Sequence, residues 1–249
     1  MKEGTLYPAG KTAAITYACQ YLKDRGVAIA SQPDAHVAHI LLDVPSFSAD
    51  GDLRCGGRLE ALLGQVPGDV TVFGGNLADM EQVRCVDLLK DPLYQAENAY
   101  ITAEAALEIA ATRLPRTIRD CPVLIIGWGR IGKCLARLLS AWGANVTIAA
   151  RKSADRAMCQ ALSYSAGELP YLIPQLDRFR LIFNTVPTPL LTREQLMQCD
   201  RQCVKIELAS KNGLIGEDVI IARGLPGVHK PESSGELIAR TYLRLRKEV

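Results

Sequence analysis

The stretch Cys121–Arg156, CPVLIIGWGRIGKCLARLLSAWGANVTIAARKSADR, decides the architecture. PVLII is a continuous apolar run of strand length, as expected of a strand buried on both faces. It ends at Gly127, and Gly129 and Gly132 complete a G-x-G-x-x-G spacing. Ile131, Leu135, Leu138, Leu139 and Trp142 then recur at helical intervals, which predicts an amphipathic helix with those five on its inner face. Gly143 is placed to cap that helix, and NVTIAA reads as the next buried strand. A glycine motif alone is weak evidence. Between a buried strand and a helix it has the context of a Rossmann dinucleotide-binding turn. Gly127 would make the tight turn, Gly129 would let backbone N–H groups approach a pyrophosphate, and Gly132 would let helix pack closely on strand. The helix N-terminus would add partial positive charge toward the phosphates.

Immediately after the second strand stand Arg151, Lys152 and Ser153. An NAD site places a carboxylate there to accept from the ribose hydroxyls, whereas NADP carries a phosphate at that position. A guanidinium grips such a dianion with paired donors, an ammonium adds a point charge, and Ser153 adds a hydroxyl donor. The expected cofactor is therefore NADP, with NAD still possible and solvated surface cations the alternative.

Working outward, composition is that of an ordinary globular protein: 249 residues, 48% hydrophobic and 22% charged, with a net charge of +2. No basic block points to nucleic acid, and no run approaches the 18 apolar residues of a membrane span. The N-terminal MKEGTLYPAGK lacks an apolar signal core, so a soluble, cytoplasmic protein is expected. Eight cysteines are scattered without a C-x-x-C pair, which reads as reduced core residues and no metal site.

Upstream, KTAAITYACQYLKDRG carries Ala14, Ile15, Ala18, Cys19 and Leu22 on one helical stripe closed by Gly26. VAIA, HILLDVP and DVTVFGG are strand candidates, and residues 46–57 form a polar loop beyond a strand end. The predicted fold is α/β with two domains: a smaller N-terminal α/β domain over 1–98 and a Rossmann domain over 99–233. The alanine-rich helix ITAEAALEIAATRLP connects them, and a terminal helix over 234–249, capped by Ser233 or Ser234, is expected to pack back on the first. FRLIFNTVP and CVKIELAS are further strands. The first places Asn184, Thr185, Val186 and Pro187 at its carboxyl end, and the second places Glu207, Ala209 and Ser210 toward the ligand-binding edge.

Candidates for chemistry are sparse. His229, in the constrained loop GLPGVHKPESSGE, is either a proton donor or a solvated histidine. Lys230 is a candidate for holding a substrate carboxylate, as are Lys211 and Arg54. Glu104 sits near the predicted start of the connecting helix, where a dipole role competes with a substrate role. Asn76 is a candidate polar substrate contact.

YITAEAALEIA, the glycine-motif segment, IFNTVP, KIELAS and GLPGVHKPESSGELIA occur in an order that resembles the dipicolinate synthase A-subunit family over about residues 70–245. The resemblance implies an N-terminal α/β domain and a Rossmann domain related to 2-hydroxyacid dehydrogenases. It also implies an NADP-linked oxidoreductase acting between the domains on a dihydrodipicolinate-type cyclic dicarboxylate. Such an enzyme works with a flavoprotein-like second subunit and forms a product that accumulates in bacterial endospores; a homodimer is the default assembly. Carried over by matching positions, the cofactor residues are Gly127, Gly129, Arg130, Ile131, Gly132, Arg151, Thr185, Pro187 and Ser210, while Thr102 and Glu104 match an interdomain T-x-E facing substrate. Departures are the run Glu207–Gly213 in place of D-L-A-S with a P-G-G turn, Lys230 in place of an alanine, and a first strand reduced to GTLYP. These fall on the presumed substrate side. They leave open a changed substrate, a non-catalytic NADP-binding partner or regulatory protein, or another small 2-hydroxyacid or shikimate-type dehydrogenase.

Overall fold

The computed structural model describes residues 4–48, 50–78 and 83–248. Contacts divide the chain into two compact units, Met1–Asn98 with Pro226–Val249, and Ala99–Leu225.

The first unit carries a parallel four-stranded sheet in the order β1 (Thr5–Pro8), β2 (Val37–Leu41), β3 (Thr71–Gly74), β4 (Arg84–Asp87). Ile40, Leu42, Val72 and Leu59 fill one side of it. Helix α1 (Ala13–Lys23) buries Ala14, Ile15, Ala18 and Leu22 of the expected stripe and leaves Cys19, at its margin, half-buried, and Gly26 follows with φ +78°. Asp43 fixes the start of α1, accepting from the Thr12 amide at 3.0 Å and its hydroxyl at 2.7 Å. VAIA is not a strand: its one pairing is a bridge between Ile29 and Leu6. A short helix α2 (Leu59–Leu63) lies ahead of β3.

Helix α3 (Pro92–Arg113) begins about nine residues earlier than the alanine-rich pattern suggested. Pro92 fits the first turn, whose N–H groups have no intrahelical acceptor, and Asp91 accepts from the Tyr94 amide at 2.7 Å. Glu104 consequently stands mid-helix and exposed, so the helix-start rationale for it does not hold.

The second unit is a parallel six-stranded sheet, β10-β9-β8-β5-β6-β7, the doubly wound order with its switch point between β5 and β8. In chain order the elements are β5 (Pro122–Ile126), α4 (Arg130–Ala141), β6 (Asn145–Ala149), α5 (Ser153–Ala161), β7 (Ser165–Gly167), α6 (Leu169–Leu172), β8 (Leu181–Asn184), α7 (Arg193–Leu196), β9 (Val204–Glu207) and β10 (Val219–Ile221). Every residue of PVLII after the proline is buried, as a strand covered on both faces requires. Ala103, Leu107, Leu135 and Leu139 cover one face of the sheet, and Leu172, Leu176, Leu191 and Leu196 the other. Trp142 departs from its expected inward place. It is the C-cap residue of α4, where the stripe has already turned away from the sheet, and it is 49% exposed.

Leu225–His229 is a helical turn, α8, where a loop was expected, and α9 (Pro231–Leu245) follows it. Lys230 is the N-cap of α9 and Pro231 its first residue; Ser234 is buried inside the helix and caps nothing. Proline pre-sets the backbone angle of a first helical residue, which overrides the serine signal two residues on. Within the first unit α9 packs on α1, and a Cβ on Gly235 would strike the Ala14 carbonyl and the Tyr17 side chain. All eight cysteines are free thiols. No helix among the described residues is long and apolar enough to cross a membrane.

Candidate functional site

The site grows from the end of β5. Gly127 has φ +108°, a left-handed conformation that excludes most side chains, and its N–H donates to the Ala149 carbonyl at 3.0 Å. A Cβ here would also meet Val186 Cγ2 at 2.8 Å. Gly132 is buried in the first turn of α4, where a Cβ would collide with the Gly127 carbonyl oxygen. Gly129, the N-cap of α4, is exposed, and a Cβ on it would meet nothing within 4 Å. The backbone is bare where it faces open space and close-packed where helix meets strand.

A cavity of about 790 Å³ opens beside this turn, a size in the range of small-molecule sites. Gly127, Gly129, Arg151, Lys152 and Val186 all line it. Its apolar wall comes from Leu169, Pro170, Ile173 and Leu190, and Trp128, Asp155, Glu168, Thr188 and Pro189 complete it. The β5–β8 pairing ends with Ile126 beside Asn184 at the switch point of the sheet, where open α/β folds hold ligands, and Ile126 and Val186 line the cavity there. Arg151 and Lys152 follow β6, exposed, and no carboxylate among the described residues forms an ion pair with Arg151. Ser153 is exposed as the first residue of α5.

Other sequence candidates fall elsewhere. Arg130 is exposed in the first turn of α4, while Ile131 packs against the core and offers only its backbone to a ligand. The Thr185 hydroxyl donates to the Ile126 carbonyl at 3.0 Å, bracing β8 on β5 under Gly127. Pro187, Ser210 and Lys211 are exposed on loops beyond β8 and β9. Asn76 (φ +59°) follows β3 in the first unit, its N–H donating to Asp87 at 3.1 Å, and Arg54 lies exposed in that unit. Thr102 is buried in α3; His229 closes α8, and Lys230 caps α9. Among the described residues that line the cavity, none of Ser210, Asn76, Thr102, Glu104, His229 or Lys230 appears.

Glu207 corrects an expectation. It does not face the ligand edge but is fully buried, its oxygens accepting from Asn184 Nδ2 at 2.8 and 2.9 Å and from the amides of Ala209 at 2.9 Å, Gly213 at 2.7 Å and Leu214 at 2.9 Å. Every contact is a donor, which suits a group that only accepts. Its work is to fold the β9 loop back onto β8.

What sequence reading missed is the far wall of the cavity. β7 has three residues and α6 four, too few for a periodic pattern. The one legible signal was Gly167-Glu168-Leu169-Pro170, a turn followed by a helix-starting proline. Trp128 was visible inside the motif; its ring stands edge-on to Tyr164, centroids 5.9 Å apart, with the Lys133 ammonium 5.8 Å from the indole centroid.

The residues present fit a dinucleotide. An unobstructed glycine at a helix N-terminus faces a cavity that has an apolar wall for a flat base and two cations at the end of β6.

Comparison with known proteins agrees. The chain is 26% identical over 205 aligned residues to the dipicolinate synthase A-subunit of Bacillus subtilis strain 168, covering 75% of this chain and 68% of that one. The fold superposes on the crystal structure of the dipicolinate synthase A-subunit from Bacillus halodurans with a TM-score of 0.84 at 22% identity, over 98% and 97% of the two chains. On the corresponding crystal structure from Bacillus subtilis the TM-score is 0.81 at 20% identity, over 100% and 97%. Residues 90–221, more than half of the chain, match the model of the D-isomer specific 2-hydroxyacid dehydrogenase NAD binding domain. The chain therefore belongs to the D-isomer specific 2-hydroxyacid dehydrogenase family, with a nicotinamide dinucleotide as its cofactor.

Proposed function

We propose that the chain is an NADP-dependent oxidoreductase of the dipicolinate synthase type, acting on a dihydrodipicolinate-type cyclic dicarboxylate. The observation that carries the cofactor choice is the pair Arg151–Lys152 at the end of β6, lining the cavity where an NAD site would present a carboxylate. The substrate class is supported by the sequence relationship to the dipicolinate synthase A-subunit. The unit Ala99–Leu225 would bind the cofactor and the first unit would serve the substrate.

Backbone amides at Gly129 and Arg130 would hold the pyrophosphate, and Arg151, Lys152 and Ser153 would hold the adenosine 2′-phosphate. When bound, the oxidised nicotinamide supplies the hydride acceptor. Removing one hydride and one proton from the dihydro ring yields the aromatic dicarboxylate. Lys230, Lys211 and Arg54 are the cations assigned to the carboxylates. His229 is assigned to the proton, and Glu104, Thr102 and Asn76 to substrate orientation.

The test mixes purified protein with NADP+ and freshly generated precursor, with and without a homologue of the synthase's flavoprotein-like second subunit, and follows the reduced-nicotinamide absorbance. Turnover supports the enzyme. NADPH binding without turnover in both mixtures replaces it with a cofactor-binding partner protein.

A further inference from the structure

Arg156 was not among the residues picked out by motif, yet it ties together the two strand ends that flank the cations. Its Nη1 donates to the carbonyl oxygens of Ala150 at 3.0 Å and Arg151 at 2.7 Å. Its Nη2 meets Glu168 Oε1 at 2.7 Å. The Ala150 amide in turn donates to the Gly167 carbonyl at 3.0 Å, so the guanidinium completes a lock between the end of β6 and the end of β7. The Arg156 side chain is 20% exposed and that of Glu168 44%, so the pair is half-shielded from solvent. Glu168 lines the same cavity as Arg151 and Lys152.

A carboxylate in that cavity matters for the choice of dinucleotide. Unpaired, it accepts from the free ribose hydroxyls of NAD and repels a phosphate. Paired with a guanidinium, its charge is offset and one of its two oxygens, Oε1, is already engaged. We propose that the Arg156–Glu168 ion pair sets the dinucleotide preference of this cavity, with Arg156 as a positioning residue that withholds the Glu168 carboxylate from the adenosine ribose. The proposal rests on the NADP reading above and goes beyond it. The cations supply attraction, and the pair removes an opposing charge that the chain itself places in the cavity. Arg156 also takes up the Ala150 and Arg151 carbonyls, whose negative ends would otherwise add to that opposition.

The test is a titration of the full chain with NADPH and with NADH, in wild type, Arg156→Met, Glu168→Gln and the double variant, read as the ratio of the two affinities. Arg156→Met frees the carboxylate and is expected to lower the NADPH:NADH ratio about tenfold, the scale of one unpaired, solvent-screened charge near a bound phosphate. Glu168→Gln leaves a surplus cation and should raise the ratio severalfold. The double variant should return to within about twofold of wild type. Equal weakening of both dinucleotides in Arg156→Met, or no recovery in the double variant, overturns the proposal in favour of a structural strut. Should Arg156→Met not fold, an unchanged ratio in Glu168→Gln overturns it alone. Equal wild-type affinity for the two dinucleotides overturns the NADP reading instead, and the shift of the ratio between variants still decides the role of the pair.

Discussion

Asn184 at the end of β8 and Glu207 at the end of β9 face each other at zero exposure, the amide donating to both carboxylate oxygens at 2.8 and 2.9 Å. The same amide nitrogen donates to the Val186 carbonyl at 3.0 Å, and Asn184 Oδ1 accepts from the Val186 amide at 3.1 Å. One buried polar pair thus sets the backbone of Val186, which lines the cavity beside the glycine turn, and that of the β9 loop.

Replacing Glu207 by Gln puts an NH2 group among donors and leaves at least one buried N–H without an acceptor. The expected destabilisation is about 2–3 kcal/mol, read by urea unfolding. Glu207→Ala should be at least as severe. A variant within about 0.5 kcal/mol of wild type would show that the network contributes little.

Gly132→Ala drives a methyl group into the Gly127 carbonyl oxygen, a backbone atom with no freedom to move aside. Overpacking of this kind costs about 1–3 kcal/mol. The thermal midpoint should fall and dinucleotide affinity with it, whereas Gly129→Ala, whose Cβ meets open space, should leave the apo midpoint nearly unchanged and weaken only binding.

Arg151→Asp reverses the charge at the end of β6. NADPH binding should weaken by about a hundredfold and NADH binding far less, measured by fluorescence titration at fixed ionic strength. Equal loss for both would mean that Arg151 does not meet the 2′-phosphate.

In the first unit His39 Nδ1 lies 2.7 Å from the Tyr242 hydroxyl, with both rings edge-on to Phe73. Burial, assisted by the Arg246 guanidinium, holds the imidazole below its ordinary value, and burial raises the phenol. The unfolded chain, with its histidine near the usual value of about 6.5, then takes up a proton before the folded one does. The stability from this group is complete above that value and is lost as pH falls through the lower folded value. Thermal midpoints should therefore drop on acidification below about pH 6.5, and His39→Gln should flatten that part of the profile. Tyr242→Phe removes the hydroxyl partner and should cost about 1 kcal/mol at neutral pH.

Cys121–Arg156 was legible because its strand is buried on both faces and its helix on one, so period and burial coincide, and because glycines at fixed spacing have a local steric meaning. The doubly wound domain and the cation pair after β6 follow from those residues by local chemistry alone. The far wall of the cavity did not, because β7 and α6 are shorter than any periodic signal and the α6 side chains come to line the same cavity as the glycine turn only in the folded chain. Glu207 and Arg156 were beyond reach for a related reason. A carboxylate or a guanidinium in a sequence has no partner until tertiary contacts bring one, and those contacts made Glu207 a buried acceptor and Arg156 a lock on Glu168. The sequence by itself determined which turn has the bare backbone and helix N-terminus that suit a dinucleotide, since glycine sterics and helix polarity act within a few residues. Only the tertiary structure decided which charges stand free in the cavity and which are consumed, because charge pairing depends on proximity in space.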